Sequence, residues 1–571
     1  MRNQLSFFVI WSIIFPNKIE NGGNMSTKRW QSYPRPQLKR DSYLNLNGEW
    51  ELNGKKIQIP FAPQCRLSEY EGEVGDNLTY KTSFELPADF TLPRTILHFG
   101  AVDQVCDVYV NDIHVGKHEG GYLHFSFDIS DAVKKDGVNQ LRVEAVDTLS
   151  QVYPYGKQCK KRGGMWYTPI SGIWQTVWME NVPASYIKEI KMTPSMSDLE
   201  ITVVGDVKGF TATVTDGGKV VAEQSFAENT GKIVIGDPIL WTIENPHLYD
   251  LKIVAGEDEI TSYFALRTVE IKKVDGINRV CLNDKPIFMH GLLDQGYYED
   301  GIYLPEDEEE FTRDILRMKE LGFNMLRKHI KIEPEKFYYE CDRLGMFVLQ
   351  DMVNNGGYDY LLDTVLPTFK FKKRNDCKGR YQDPKCKEVF EWHMKDTLHD
   401  LYNHPCIIGY TIFNEGWGQF ESDRMYELAK SIDSTRFYDA TSGWFAQKKS
   451  DLDSEHIYFR VEELHAKERP MFLSECGGYS YLVEGHAFNP DKTYGYGACK
   501  SSEELTDRIV AMYEGMVLPG IKGGVCGCVY TQLSDVEDEI NGMYTYDREV
   551  CKVNKEKMQK LAERIFAEIN Q

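Results

Sequence analysis

At 571 residues the chain is too long for a single core and implies about three or four domains. With 42% hydrophobic and 12% aromatic residues it can bury sizeable cores, which excludes a disordered chain. A formal net charge of −21 argues against nucleic acid and anionic membrane surfaces as partners and fits a soluble enzyme of neutral substrates.

The N-terminus reads two ways. Leu5–Phe15 is an apolar run after Arg2, like the centre of a signal peptide, but no small-residue cleavage site follows and the run is too short to span a membrane. In the reading adopted here, translation begins at Met25: Asn21-Gly22-Gly23-Asn24 fits purine-rich codons of the ribosome-binding type, so residues 1–24 are a misassigned start and the protein is cytoplasmic. A signal peptide over residues 1–24 would instead mean export. Thirteen cysteines, an odd number without metal-ligand spacing, read as reduced thiols, mostly in cores.

From residue 25 to about 183 the pattern is β. Tyr80–Leu86, Thr95–Phe99 and Val105–Val110 are strand-like runs, and Asn111-Asp112 turns the chain into Ile113–Val115, as in a jelly-roll sandwich. The segment Gly163–Trp174 is too aromatic for an idle loop; covering a neighbouring site and plugging the sandwich are both open. Residues 184–272 form a smaller β unit. Leu199–Val204, Phe210–Val214, Lys232–Ile235 and Leu251–Val254 are spaced like strands of an immunoglobulin-like sandwich, and a spacer role is the default.

From residue 273 to 571 strands alternate with helices. Ile287–Leu292 precedes a helix with Phe311, Ile315 and Met318 on one face; Met325–Arg327 precedes Glu335–Leu344; Phe390, Met394, Leu398 and Leu401 share a face of a further helix. Met346–Leu349, Gly409–Phe413, Phe437–Ala440, His456–Tyr458, Met471–Leu473 and Val525–Thr531 complete eight strand candidates, the pattern of a (β/α)8 TIM barrel. The insert 354–386 departs from the acidic average with Lys370, Lys372, Lys373, Arg374 and Arg380, as a rim loop or as a solvated basic loop.

Two strands end in a carboxylate. Gly409–Phe413 stops at Asn414-Glu415, followed by glycines and Trp417 that cannot extend it, and Met471–Leu473 stops at Ser474-Glu475. In a barrel, strand ends deliver side chains to the catalytic rim. A glutamate that merely caps a loop or pairs with an arginine would look the same. Glycoside hydrolysis, however, needs one protonated carboxyl group for the leaving oxygen and one ionised group for the developing cation, and two rim glutamates meet that need. The expectation is that the two face each other across a rim pocket.

With these residues, and with Leu46-Asn47-Gly48-Glu49-Trp50, Gly120-Gly121-Tyr122, Ser171-Gly172-Ile173-Trp174, Leu240-Trp241 and Tyr263-Phe264-Ala265-Leu266-Arg267, nearly the whole chain from Tyr33 resembles glycoside hydrolase family 2, the β-galactosidase and β-glucuronidase family. The resemblance implies a retaining exo-β-glycosidase with Glu415 as acid/base, Glu475 as nucleophile, Asn414 on the sugar 2-hydroxyl and Arg327 keeping the nucleophile ionised. It offers Asp294 and Trp417 as pocket walls, and His329, Asp351, Trp444, His456, Gln532 and Asp535 as rim candidates with packing as the alternative. Family β-glucuronidases read the uronate with an Asn-x-Lys pair where this chain has Glu539 and Asn541. With Asp535, Glu537 and Asp538 nearby, an anionic sugar is disfavoured, and the expectation is a β-galactosidase. The His-rich segment and additional C-terminal domains of the large β-galactosidases are not found, and no cofactor or metal is implied. Other glycosides (glucuronide, mannoside, arabinoside) and a non-catalytic carbohydrate-binding protein are the alternatives. The expected partner is an oligosaccharide or glycoside, with no nucleic acid and no membrane; a homo-oligomer is left open.

Overall fold

The computed structural model describes residues 29–369, 371, 376 and 383–569. The expectations for residues 1–24, and for Lys370, Lys372, Lys373, Arg374 and Arg380 in the insert, lie outside these residues.

The N-terminal sandwich packs a four-stranded sheet, with Arg94–Phe99 and Val177–Val182 at its centre, against a six-stranded sheet containing Asn77–Phe84, Asn139–Val146 and Val105–Val110. Alternation dictates which face is buried: Asn77–Phe84 hides Leu78, Tyr80 and Phe84 and leaves Lys81 outside. Asn111 and Asp112, at φ 50° and 67°, make the tight turn into Ile113–Glu119. The second unit pairs a three-stranded sheet (Ile187–Pro194, Asp198–Gly205, Thr230–Val234) with a four-stranded one (Lys219–Phe226, Phe210–Asp216, Tyr249–Ala255, Asp258–Phe264) around Ile201, Val214, Leu251 and Phe264. Trp241 ties this unit to the barrel: it is fully buried and its Nε1 donates to the Asp342 carbonyl at 2.8 Å.

Eight parallel strands form the barrel: β1 (Met289–Asp294), β2 (Met325–Lys328), β3 (Phe347–Asp351), β4 (Ile407–Asn414), β5 (Phe437–Ser442), β6 (Asp453–Ile457), β7 (Met471–Cys476) and β8 (Val525–Tyr530). Backbone pairing runs β5-β4-β3-β2-β1-β8-β7-β6. The β5–β6 seam is bridged by Ser454 Oγ donating to Asp439 Oδ1 at 2.8 Å. Every residue of β4 is buried, the signature of a strand covered on both faces. The connections 443–452 and 458–470, on either side of β6, carry no helix, so the barrel is less regular than the sequence pattern suggests. No helix among the described residues is long and apolar enough to cross a membrane.

Candidate active site

Strand geometry aims the two glutamates. Glu475 lies inside β7, at an irregularity in its pairing with β8, and His456 of β6 stands beside it at a second irregularity. Such breaks rotate side chains that a regular ladder would point elsewhere. Glu415 follows β4 directly in a left-handed conformation, φ 53°, which costs a side-chain-bearing residue about 1 kcal/mol. Its N–H donates to the Ser442 carbonyl at 3.0 Å, so the neighbouring strand holds the turn. Glu415 and Glu475 line one pocket, whose wall also includes Asn414, Trp417, Tyr458 and Glu539.

Arg327 organises the floor. Fully buried, it donates to Asp351 Oδ1 (3.0 Å), the Ser474 carbonyl (3.0 Å), Glu475 Oε1 (3.2 Å) and Asn414 Oδ1 (2.8 Å). Because a guanidinium only donates, Asn414 must turn its oxygen to Arg327, leaving its amide nitrogen for the pocket. Tyr458 OH donates to the other oxygen of Glu475. His456 Nδ1 sits 2.8 Å from Glu415 Oε1 and 3.5 Å from Glu475 Oε2. One ligand atom from each of Glu415, His456 and Glu475 lies within 4.8 Å of the other two, a spacing that could also hold a metal ion, as could that of His486, Asp547 and Glu549 at the surface. Burial raises the Glu415 carboxyl to about 7, with Lys157 and Arg327 pulling against it. Burial therefore favours the protonated form of Glu415, while Arg327 brings positive charge to Glu475.

The other expected residues divide. His329 reaches the pocket, with Nδ1 2.8 Å from Asp351 Oδ2; burial, then the charge of Lys157, lowers it to about 3, so it is neutral. Trp417 lines the pocket. Trp444 packs on His456 with ring centroids 5.3 Å apart. Asp294, Asp351, Gln532 and Asp535 sit behind the lining: Asp294 accepts from Lys328 Nζ at 2.6 Å, Asp535 from Lys552 Nζ at 2.6 Å, and Gln532 donates to Asn541 at 2.9 Å. These contacts leave them as supports and not as walls. The expected carboxylate crowd also thins. Arg162 of the sandwich reaches Asp538 (3.0 Å) and Glu537 (3.6 Å), and only Glu539 of this group lines the pocket.

Several lining residues are not among the sequence candidates, Tyr458, Glu539, Tyr358 and Lys157 among them. Tyr458 was placed in a strand tail, and its alternation with His456 is the signal that both face inward. Glu539 was read only as a replacement for a family residue, and Tyr358 had no signal in the insert. Lys157 comes from the sandwich loop 147–171, which also brings Met165 and Trp166 to the pocket. That loop covers the site through Met165 and Trp166, while Tyr167, Ile170 and Trp174 pack in the core with barrel residues and Ile173 in the sandwich core, so Gly163–Trp174 does both. Tyr167 OH donates to Glu539, and Thr168 N to Glu537 at 2.9 Å.

Comparison with known proteins matches residues 52–172 to the glycosyl hydrolase 2 galactose-binding domain-like family, 186–267 to glycosyl hydrolases family 2, and 269–471 to the glycosyl hydrolases family 2 TIM barrel domain. A beta-galactosidase of Thermoanaerobacter pseudethanolicus is 24% identical over 69% of this chain and 54% of its own length, and one of Leuconostoc mesenteroides is 24% identical over 77% and 43%. The chain thus spans about half the length of the curated relatives it matches. The beta-D-glucuronidase structure of Dictyoglomus thermophilum superposes with a TM-score of 0.73 at 18% identity, covering 94% of this chain and 98% of that one.

Proposed function

The chain belongs to glycoside hydrolase family 2, and from that premise we propose that it is a retaining exo-β-glycosidase acting on terminal neutral sugars, β-galactosides first. The observation that carries the mechanism is the approach of Glu415, His456 and Glu475 ligand atoms to within 4.8 Å, since inverting enzymes separate their carboxyl groups by about 6.5–9.5 Å to admit a water. Glu475 attacks the anomeric carbon while protonated Glu415 gives its proton to the glycosidic oxygen, and the leaving group departs as an alcohol. A glycosyl ester on Glu475 remains. Glu415, now a carboxylate, takes a proton from a water that attacks the same carbon from the vacated side, freeing Glu475 and releasing the sugar with its configuration kept. Arg327 and Tyr458 hold Glu475 on both oxygens, and the Asn414 amide nitrogen donates to the sugar 2-hydroxyl.

Glu539 supports the neutral-sugar reading. Its carboxylate, oriented by Tyr167 and Asn541, suits hydroxyl donors and repels a uronate. A second reading, a β-glucuronidase, is favoured by the Lys157 ammonium lining the same pocket. A panel of nitrophenyl β-glycosides, with product configuration followed by NMR, tests both: galactoside turnover with β-anomer formed first is expected. Glucuronide turnover would install the second reading, and no turnover of any sugar would leave a carbohydrate-binding protein.

A further inference from the structure

The pocket has a side that the chemistry above does not use. Trp417 stands two residues beyond Glu415 and lines the same pocket, and in the proposed mechanism the leaving group departs beside Glu415. Trp166 of the sandwich and Tyr358 of the barrel insert close on it, with ring centroids 4.9 Å (Trp166–Trp417), 5.2 Å (Trp166–Tyr358) and 5.4 Å (Tyr358–Trp417) apart. Trp417 Nε1 donates to Tyr155 OH at 3.1 Å, and two residues on the same loop further stands Lys157. The other buried lysines of the region are matched to carboxylates: Lys328 to Asp294 at 2.6 Å, Lys331 to Glu333 at 2.8 Å and Lys552 to Asp535 at 2.6 Å. Half-buried Lys157 has no hydrogen bond or ion pair to its Nζ among the described residues; the Tyr167 ring lies 5.7 Å away, and the lysine's charge is felt by Glu415 and His329. An ammonium in a pocket wall that makes no ion pair, and that Glu415 meets only through space, keeps its hydrogen-bond donors for an anion.

Resting on the proposed glycosidase reading, we propose that this wall is a leaving-group subsite for an acidic sugar: the Trp166, Tyr358 and Trp417 cluster packs against the sugar ring beyond the scissile bond, and Lys157 binds a carboxylate or sulfate carried by it. The glycon is then neutral and the anionic charge lies on the next residue, which reconciles Glu539 and Lys157 within one pocket. The natural substrate class is a neutral β-linked sugar capping an acidic oligosaccharide.

The test compares aryl β-glycosides of one neutral glycon that differ only in aglycone charge: 4-carboxyphenyl against isosteric 4-carbamoylphenyl, and 4-sulfophenyl against 4-sulfamoylphenyl, with the 4-nitrophenyl glucuronide alongside. The expected kcat/KM favours an anionic member of a pair by about three- to tenfold, the scale of one partly screened ion pair. The preference fades in high salt, and the larger of the two ratios tells carboxylate from sulfate. In Lys157→Gln the ratio collapses towards one, and the basic limb of the pH profile moves up because a positive charge beside Glu415 is gone. A ratio unchanged by Lys157→Gln, a parent that prefers the neutral aglycones, or a Lys157→Gln loss confined to the glucuronide overturns the subsite. If the parent hydrolyses none of these glycosides the glycosidase reading falls. Calorimetry of the 4-carboxyphenyl and 4-carbamoylphenyl glycosides with the parent and Lys157→Gln then decides the subsite, where equal affinities or no binding reject it.

Discussion

At the floor of the pocket the charged donor is committed: Arg327 divides its guanidinium among Asp351, Ser474, Glu475 and Asn414, and Tyr458 closes the second oxygen of Glu475. At the outer wall, built partly by a different domain, Lys157 makes no ion pair among the described residues and Trp166 is held by ring contacts. A site that must hold charge within tenths of an ångström is over-determined by paired groups on rigid strands. A surface that must accept a ligand keeps its polar capacity unspent. On the proposed reading, the chemistry sits on barrel strands and the sandwich loop adds Lys157 and Trp166 to a recognition wall that the barrel shares, with Glu415 beside it.

The sharpest attempt to break this division is Glu475→Gln, whose kcat falls on the order of 10⁴-fold or more if the floor carries the chemistry. Release of nitrophenol by the parent and variant, with unfolding temperatures alongside, reads the loss. Next comes Glu415→Gln, with a loss of roughly 10²–10⁴. In the parent, kcat/KM declines above pH about 7, because the acid role needs the proton and burial raises Glu415 to about 7. That limb vanishes in the variant, and its persistence would assign the proton to another group. Tyr458→Phe removes one of the donors fixing Glu475 and lowers kcat by roughly 10²-fold, the scale of one oriented donor; a change in KM alone would move Tyr458 from floor to wall. Trp166→Ala gives the smallest effect, a rise in KM of about fivefold from lost ring packing, about 1 kcal/mol. Its effect appears in KM more than in kcat, and the reverse result would erase the distinction.

Much of this fold was legible because burial imposes a period. The run Ile407–Asn414, buried on both faces, and the helix Glu309–Glu320, with Phe311, Ile315 and Met318 inside, follow from apolar spacing alone. So do the strand ends that deliver Glu415 and Glu475, since a polar pair after an apolar run marks the rim. The missing helices on either side of β6 were not legible: strand runs 15 to 20 residues apart leave room for a helix whether or not one forms. Tyr458 was legible in principle from its alternation with His456. Lys157 was not, since nothing in Tyr155-Gly156-Lys157 distinguishes a pocket lysine from a surface one.

The sequence by itself determined the three β and α/β units and the two carboxylates at strand ends, because each is written in local periodicity and in residues adjacent in the chain. Only the tertiary structure decided which groups are paired. Arg327 meets Glu475 across 148 positions and Tyr167 meets Glu539 across 372, and the proton affinity of Glu415 arises from burial by segments distant in sequence. Charge neutralisation depends on distance in space, so whether an aspartate such as Asp535 repels a substrate or only supports Lys552 could be settled only after the chain had folded.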